Sequence, residues 1–241
     1  MPDYVRSFNR YEFKYVFHQD RIADLLGAMN QFVYPDPHSG NDRGYRVCSV
    51  YFDSSEWSLF WEKIEGTKFR RKVRVRRYAD DDRAYLEIKQ RLDRTVQKRR
   101  VQWPLQHAAE VLGAGDSAEF LQGEQRDPVA SEATFLQRHY GLQPCMAISY
   151  RRHAYFCHLE SGQRITFDSD IRYDAHHLEI EQPTESGKYV LDPALVVMEL
   201  KFNERVPLWL CKIIGRFDLR MVRLSKYCTA VDREYFQASL T

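Results

Sequence analysis

The sequence points to an α+β chain organised around an antiparallel sheet, and its charge pattern carries that reading. The triplets Glu12-Phe13-Lys14, Glu87-Ile88-Lys89 and Glu199-Leu200-Lys201 each lie where apolar and charged residues alternate. Residues two apart on a strand share a face, so each triplet sets a carboxylate beside an ammonium and turns an apolar side chain the other way. Lys72, Arg74 and Arg76 alternate in the same manner with Val73 and Val75, and Arg164, Thr166 and Asp168 with Ile165 and Phe167. A sheet curled around so many cationic faces would enclose a basic tunnel. That implies an anionic ligand.

The elements follow in order. Residues 8–17 alternate as a strand, and 19–32 read as a helix with Ile22, Leu25, Leu26 and Met29 on one side. Pro35, Pro37, Ser39, Gly40 and Asn41 mark a loop. Strand patterns occupy about 45–53, 68–78, 83–91 and 97–104, with a short helical segment near 55–62. Asp80-Asp81-Asp82 reads as the turn of an antiparallel hairpin. Residues 105–142 are rich in Ala, Gln and Glu, with helical spacing near 107–113 and 130–140, and read as a helical insertion. Strands resume at about 145–156, 163–171, 176–182 and 195–202. Pro207 stands near the start of a helix carrying Leu208, Leu210, Ile213, Ile214 and Phe217, and 222–227 reads as extended. No internal repeat or interdomain linker interrupts this series, so a single domain over 1–241 is expected.

Composition narrows the class. The 241 residues, 44% hydrophobic and 14% aromatic, suffice for one sizeable core. Net charge is only +2, from 36 basic and 34 acidic residues, so positive charge matters only where it is segregated. Cys48, Cys145, Cys157, Cys211 and Cys228 show no C-x-x-C spacing and read as reduced core thiols. No run approaches the length of a membrane span, and Met-Pro-Asp-Tyr-Val-Arg lacks a signal peptide's apolar region, so a cytoplasmic protein is expected.

By parity, Lys14, Lys72, Arg74, Arg76, Lys89, Lys98, Arg100, Arg152, Arg164 and Lys201 belong to the charged faces. A solvated face with cross-strand salt bridges is the plainer alternative for any one pair, each contributing about 0–1 kcal/mol. Applied to all of them it weakens, because a confined cation excess is costly without an anion. Arg forks match phosphate oxygens bidentately and Lys supplies mobile point charges. The carboxylates Glu12, Glu87, Glu199, Asp168 and Asp170 are fewer. Glu199 is either the counter-ion of Lys201 or Arg152, or a ligand for Mg²⁺ or Mn²⁺ shared with substrate phosphates; Asp168 and Asp170 could share either role. The 8 histidines show no ligand spacing, and neither a Walker-type loop nor a GxGxxG run is present. The aromatic residues read as an outer apolar layer, so specific nucleic-acid binding is not expected.

The order Arg10-x-Glu12-x-Lys14-Tyr15, Ser49-Val50-Tyr51-Phe52-Asp53, Lys72-x-Arg74-x-Arg76-x-Tyr78 and Glu87-x-Lys89 resembles the VTC domain. So do Tyr150-x-Arg152, Arg164-Ile165-Thr166-Phe167-Asp168, Glu199-x-Lys201 and Leu224-Ser225-Lys226-Tyr227. This is the catalytic domain of the vacuolar transporter chaperone polyphosphate polymerases, within the CYTH or triphosphate tunnel metalloenzyme superfamily. The resemblance spans about 6–235 and implies an eight-stranded antiparallel β tunnel with a basic interior and peripheral helices. It further implies transfer of the γ-phosphate of ATP to growing inorganic polyphosphate with Mn²⁺ or Mg²⁺.

Taken with strand parity, the resemblance assigns catalysis to Lys14, Arg74, Arg76, Lys89, Arg152, Arg164 and Lys226. Substrate contact falls to Lys72, Lys98, Arg100, Tyr150, Lys201, Arg223 and Ser225. Glu199 is implied as the metal ligand, and Glu12 could hold a metal with it. Arg10 stands where the tunnel triphosphatases carry a further Glu, which favours the polymerase branch. A triphosphatase, a CYTH-type adenylyl cyclase and a non-catalytic polyphosphate sensor remain the alternatives. The expected partners are ATP and polyphosphate, with membrane association only through another protein. Alanine at Arg74, Arg152 or Lys226 is expected to reduce turnover and leave folding intact.

Overall fold

Strand β1 (Tyr11–His18) alternates as its sequence requires, with Tyr15 and Phe17 buried and Glu12 and Lys14 on the opposite side. The computed structural model describes residues 11–37, 44–78, 81–93, 95–114, 120, 127–158, 162–181, 186–202 and 205–237. Arg10, Asp80 and the loop residues Ser39, Gly40 and Asn41 lie outside these. The remaining strands are β2 (Val33–Pro35), β3 (Tyr45–Asp53), β4 (Phe69–Tyr78), β5 (Arg83–Leu92), β6 (Thr95–Pro104), β7 (Gln143–Cys157), β8 (Arg164–Asp174), β9 (Lys188–Tyr189) and β10 (Leu195–Phe202). The helices are α1 (Ile22–Met29), α2 (Ser58–Ile64), α3 (Leu105–Gly113), α4 (Pro128–Tyr140), α5 (Leu208–Arg216) and α6 (Lys226–Val231). Hydrogen bonding orders eight strands as β1-β10-β8-β7-β3-β4-β5-β6, with β2 on β7 and β9 on β8.

The chain divides into two compact units. The first comprises Met1–Tyr45, Tyr150–Ile171 and Leu191–Leu224. Its β1–β10 and β10–β8 pairings are antiparallel, and the register sets Lys14 opposite Glu199 and Lys201 opposite Arg164. The apolar face of these strands (Tyr15, Phe17, Ile165, Phe167, Met198, Leu200) packs with Leu25 and Met29 of α1 and Leu210 and Ile213 of α5. Each such side chain contributes about 1.5–3 kcal/mol by leaving water. The charged residues therefore all emerge on the face without helices.

The second unit comprises Arg46–Ser149, Arg172–Val190 and Ser225–Thr241. Here β3, β4, β5 and β6 form an antiparallel meander. Val73, Val75, Leu86 and Ile88 face a core shared with Ala108 and Val111 of α3 and Ala133 and Leu136 of α4. The helices in the 105–142 segment thus cover the apolar face of the meander and not the cationic one.

Two expectations are corrected. Residues 176–181 are not a strand: β8 ends at Asp174, whose Oδ1 accepts from the backbone N–H groups of His176 (2.8 Å) and His177 (2.9 Å). That local turn removes donors a ladder would need. Nor is 222–227 extended throughout, because Ser225 caps α6 by accepting from the Cys228 amide, which makes Lys226 helical.

Candidate functional site

In the first unit the charged side chains converge on Glu199. Its Oε1 lies 3.3 Å from Lys14 Nζ, and its Oε2 lies 3.5 Å from both Arg152 Nη2 and Lys201 Nζ. Lys14 also meets Glu12 Oε1 at 3.2 Å and donates to the Leu224 carbonyl at 3.1 Å. Burial alone would lower the Lys14 pKa, yet Glu199 and Glu12 raise it well above the ordinary value, so this ammonium stays charged. Arg152 is only 4% exposed and holds Asp168 with two bonds of 2.6 and 2.7 Å, its guanidinium 5.0 Å from the Tyr150 ring centre. Arg164 donates to Asp36 (2.6 Å) and to the Tyr45 hydroxyl (2.8 Å). Parity and pairing thus place Lys14, Glu12, Arg152, Glu199 and Lys201 in one cluster, with Arg164 opposite Lys201 in the register. Arg223 is exposed, next to Leu224, whose carbonyl accepts from Lys14.

In the second unit the focus is Glu87, 1% exposed. Arg74 grips its Oε2 through Nε (2.9 Å) and Nη2 (2.6 Å), and Lys98 Nζ lies 2.5 Å from Oε1. Burial would raise the Glu87 pKa, but Arg74, Arg76 and Lys98 hold it well below the usual carboxylate range. Arg76 donates to Ser49 (2.9 Å), and Lys72 to Ser225 (2.6 Å). Lys89 pairs across the hairpins with both Lys72 and Lys98, Arg100 lies 4.8 Å from the Tyr85 ring centre, and Lys226 is buried in α6.

Sequence reasoning passed over several groups here. Tyr51 accepts from Arg74 at 2.7 Å. Against the opposing effect of burial, Arg74, Arg76 and Lys72 bring its phenol down to about 8, and Arg76 with Lys98 brings Tyr78 down to about 7. Tyr51 and Tyr78 both stand in the motifs shared with the VTC domain, and Tyr78 has the parity of Arg74 and Arg76, signals that could have marked them. Asp36 and Tyr45, the partners of Arg164, carry no such signal because they come from a loop and a strand end. Asp53, which ends the Ser49–Asp53 motif, has a structural role: it accepts from the Ser54, Leu59 and Phe60 amides and from the Tyr227 hydroxyl.

Among the described residues no three His, Cys, Asp or Glu side chains group as a preformed metal site. Glu12 and Glu199 nevertheless meet at one ammonium, showing that both carboxylates can reach a common cation. Two carboxylates completed by phosphate oxygens suit Mg²⁺ or Mn²⁺, so the donor set fits a divalent ion accompanied by a phosphate ligand.

This architecture recurs in solved structures. A candidate adenylate cyclase from Bacillus halodurans superposes with a TM-score of 0.57 at 12% identity, covering 94% of this chain and 99% of its own. A candidate adenylyl cyclase from Hippeastrum, described as having a dominant triphosphatase activity, gives 0.54 at 14% identity, with 92% and 95% covered. At such identities the likeness is one of fold, the α+β antiparallel triphosphate-tunnel fold. The family model for the VTC domain matches residues 9–235, and the chain belongs to that family. No curated protein matches at a significant level.

Proposed function

We propose that this chain, acting as one domain over residues 1–241, is a metal-dependent polyphosphate polymerase that moves the γ-phosphate of ATP onto inorganic polyphosphate. The observation carrying the reading is Glu199: one carboxylate ringed by Lys14, Arg152 and Lys201 in a VTC-family chain. Glu12 and Asp168 balance Lys14 and Arg152 there, so the cation excess lies on β4, β5 and β6. On those strands Glu87 is the one carboxylate among Lys72, Arg74, Arg76, Lys89, Lys98 and Arg100, and a phosphate chain would supply the missing negative charge. Lys14, Arg152, Arg164 and Lys201 would bind and orient phosphate oxygens, as would Lys72, Arg74, Arg76, Lys89 and Lys98 on their own strands, with Arg100, Tyr150, Arg223, Ser225 and Lys226 contributing contacts. A divalent ion held by Glu199, with Glu12 beside it, would supply charge neutralisation at the transferring phosphoryl group. A terminal oxygen of the acceptor chain bonds to the γ-phosphorus as the bond from that phosphorus to the β–γ bridging oxygen breaks, releasing ADP. The acceptor oxygen is already ionised and needs no protein base, so positioning and charge carry the catalysis.

The test is incubation with ATP across a Mn²⁺ titration, with products separated by gel. Wild type is expected to form a polyphosphate ladder. Glu199→Gln, which keeps size and hydrogen bonding but loses charge, is expected to bind polyphosphate and make almost none. Free phosphate and ADP without polymer would identify a triphosphatase, cyclic nucleotide a cyclase, and binding without product a sensor. Wild-type rate and metal midpoint in Glu199→Gln would remove Glu199 as ligand.

A further inference from the structure

The charged face of β4, β5 and β6 changes character along the strands. Lys72, Lys89 and Lys98 align in one row, and Arg74, Glu87 and Arg100 in the next. Arg76 and Tyr85 follow, with Tyr78 beyond. Rows two residues apart are separated by about 6.6 Å, so the face runs roughly 20 Å from lysines to aromatics. At the aromatic end Tyr78 and Tyr85 meet edge to face, ring centres 5.8 Å apart. The Arg100 guanidinium lies 4.8 Å from the Tyr85 centre, and the Arg76 guanidinium 5.7 Å from that of Tyr78. Both rings are partly exposed and Arg100 is exposed. Their parity turns them toward the cationic face and away from the core beneath α3 and α4. An aromatic layer serving only the core would have the opposite parity.

A nucleoside triphosphate has the same polarity: a flat π-face at one end and a run of negative charge at the other. Every nucleobase can stack on an aromatic ring or on a guanidinium plane. We infer that Tyr85, flanked by Tyr78 and Arg100, is a stacking platform for the nucleobase of the phosphate donor. The donor's phosphates then run from that platform towards Arg76, Arg74 and the lysine row. This deepens the polymerase reading and rests on it for the identity of the donor. The platform makes the base a determinant of donor affinity, whereas a bare polyphosphate ignores it.

Calorimetric titration of the full chain with ATP, ribose 5-triphosphate and inorganic tripolyphosphate tests the inference. Tyr85→Leu is expected to weaken ATP about ten-fold or more and to leave tripolyphosphate unchanged, while Tyr85→Phe, which keeps the ring, binds ATP as wild type does. In wild type, ribose 5-triphosphate is expected to bind about ten-fold more weakly than ATP, a comparison that needs no variant. Should Tyr85→Leu fail to fold, Tyr78→Leu is measured in its place, with a smaller loss confined to ATP. Equal loss for ATP and tripolyphosphate, or no loss for ATP, overturns the platform. So does ribose 5-triphosphate binding as tightly as ATP. Wild type that binds ATP through Tyr85 but makes no polymer overturns the polymerase reading and leaves the platform standing. Wild type that binds neither nucleotide nor tripolyphosphate overturns both.

Discussion

Arg152 and Arg74 look alike in the sequence, each two residues from a neighbour of its own parity, yet their environments predict different outcomes on truncation. Asp168 is fully buried, and Arg152 grips it through two bonds. Arg152→Ala breaks this buried pair by removing one partner, a loss of about 3–5 kcal/mol. Glu87 keeps Lys98 when Arg74 is removed, so Arg74→Ala is expected to cost markedly less. Urea denaturation of the two variants checks this. Replacing Arg152 and Asp168 together with Met and Leu is expected to restore most of the stability but none of the turnover. The sequence-based expectation that all three alanine variants fold normally is revised at Arg152, because parity gives a side chain's direction but not its depth. An Arg152→Ala midpoint equal to that of wild type would show the pair to be solvated.

Local chemistry decides where elements begin and end. α4 starts at Asp127, whose Oδ1 accepts from the Val129 (2.7 Å) and Ala130 (3.2 Å) amides, with Pro128 in the first turn where its missing N–H costs nothing. It stops at Gly141, which adopts φ 65°. Asp127→Ala is expected to lower stability by about 1 kcal/mol and Asp127→Asn by much less, read from denaturation midpoints. Because α4 covers the apolar side of the meander, neither change should alter phosphate affinity. Gly44, at φ 62°, opens β3, and a Cβ there would come within 2.5 Å of the Arg152 carbonyl oxygen. Neither Asp127 nor Asp174 stands out in a strand pattern, and this is why the ends of α4 and β8 were less legible than their middles.

For the molecule as a whole, the near-balance of charge conceals a strong local excess, and anion linkage should expose it. A ligand bound only by the folded state stabilises it by about 2.7 kcal/mol at one hundred times its dissociation constant. Tripolyphosphate is therefore expected to raise Tm far more than sulfate at equal concentration, and added salt to reduce the difference as screening grows. A melting curve unmoved by saturating tripolyphosphate would mean that the charged faces are solvated ion pairs and nothing more. No helix among the described residues is long and apolar enough to cross a membrane.

Alternation by itself determined most strands and the face on which each cation stands, because a strand's side-chain period is two wherever the strand lies. That is why the faces of Lys14, Glu199, Arg74 and Glu87, and the succession of motifs shared with the VTC family, are legible in the sequence. Period and parity carry no information about which strands become neighbours or what a loop brings alongside. The pairing of β1 with β10, nearly two hundred residues apart, set Lys14 against Glu199. The turn at Asp174 ended β8, and the Ser225 cap coiled 226–231 into α6. Asp36 reached Arg164 from a loop. Such contacts join residues distant in the chain, and their energies depend on burial and geometry that exist only once the chain has folded.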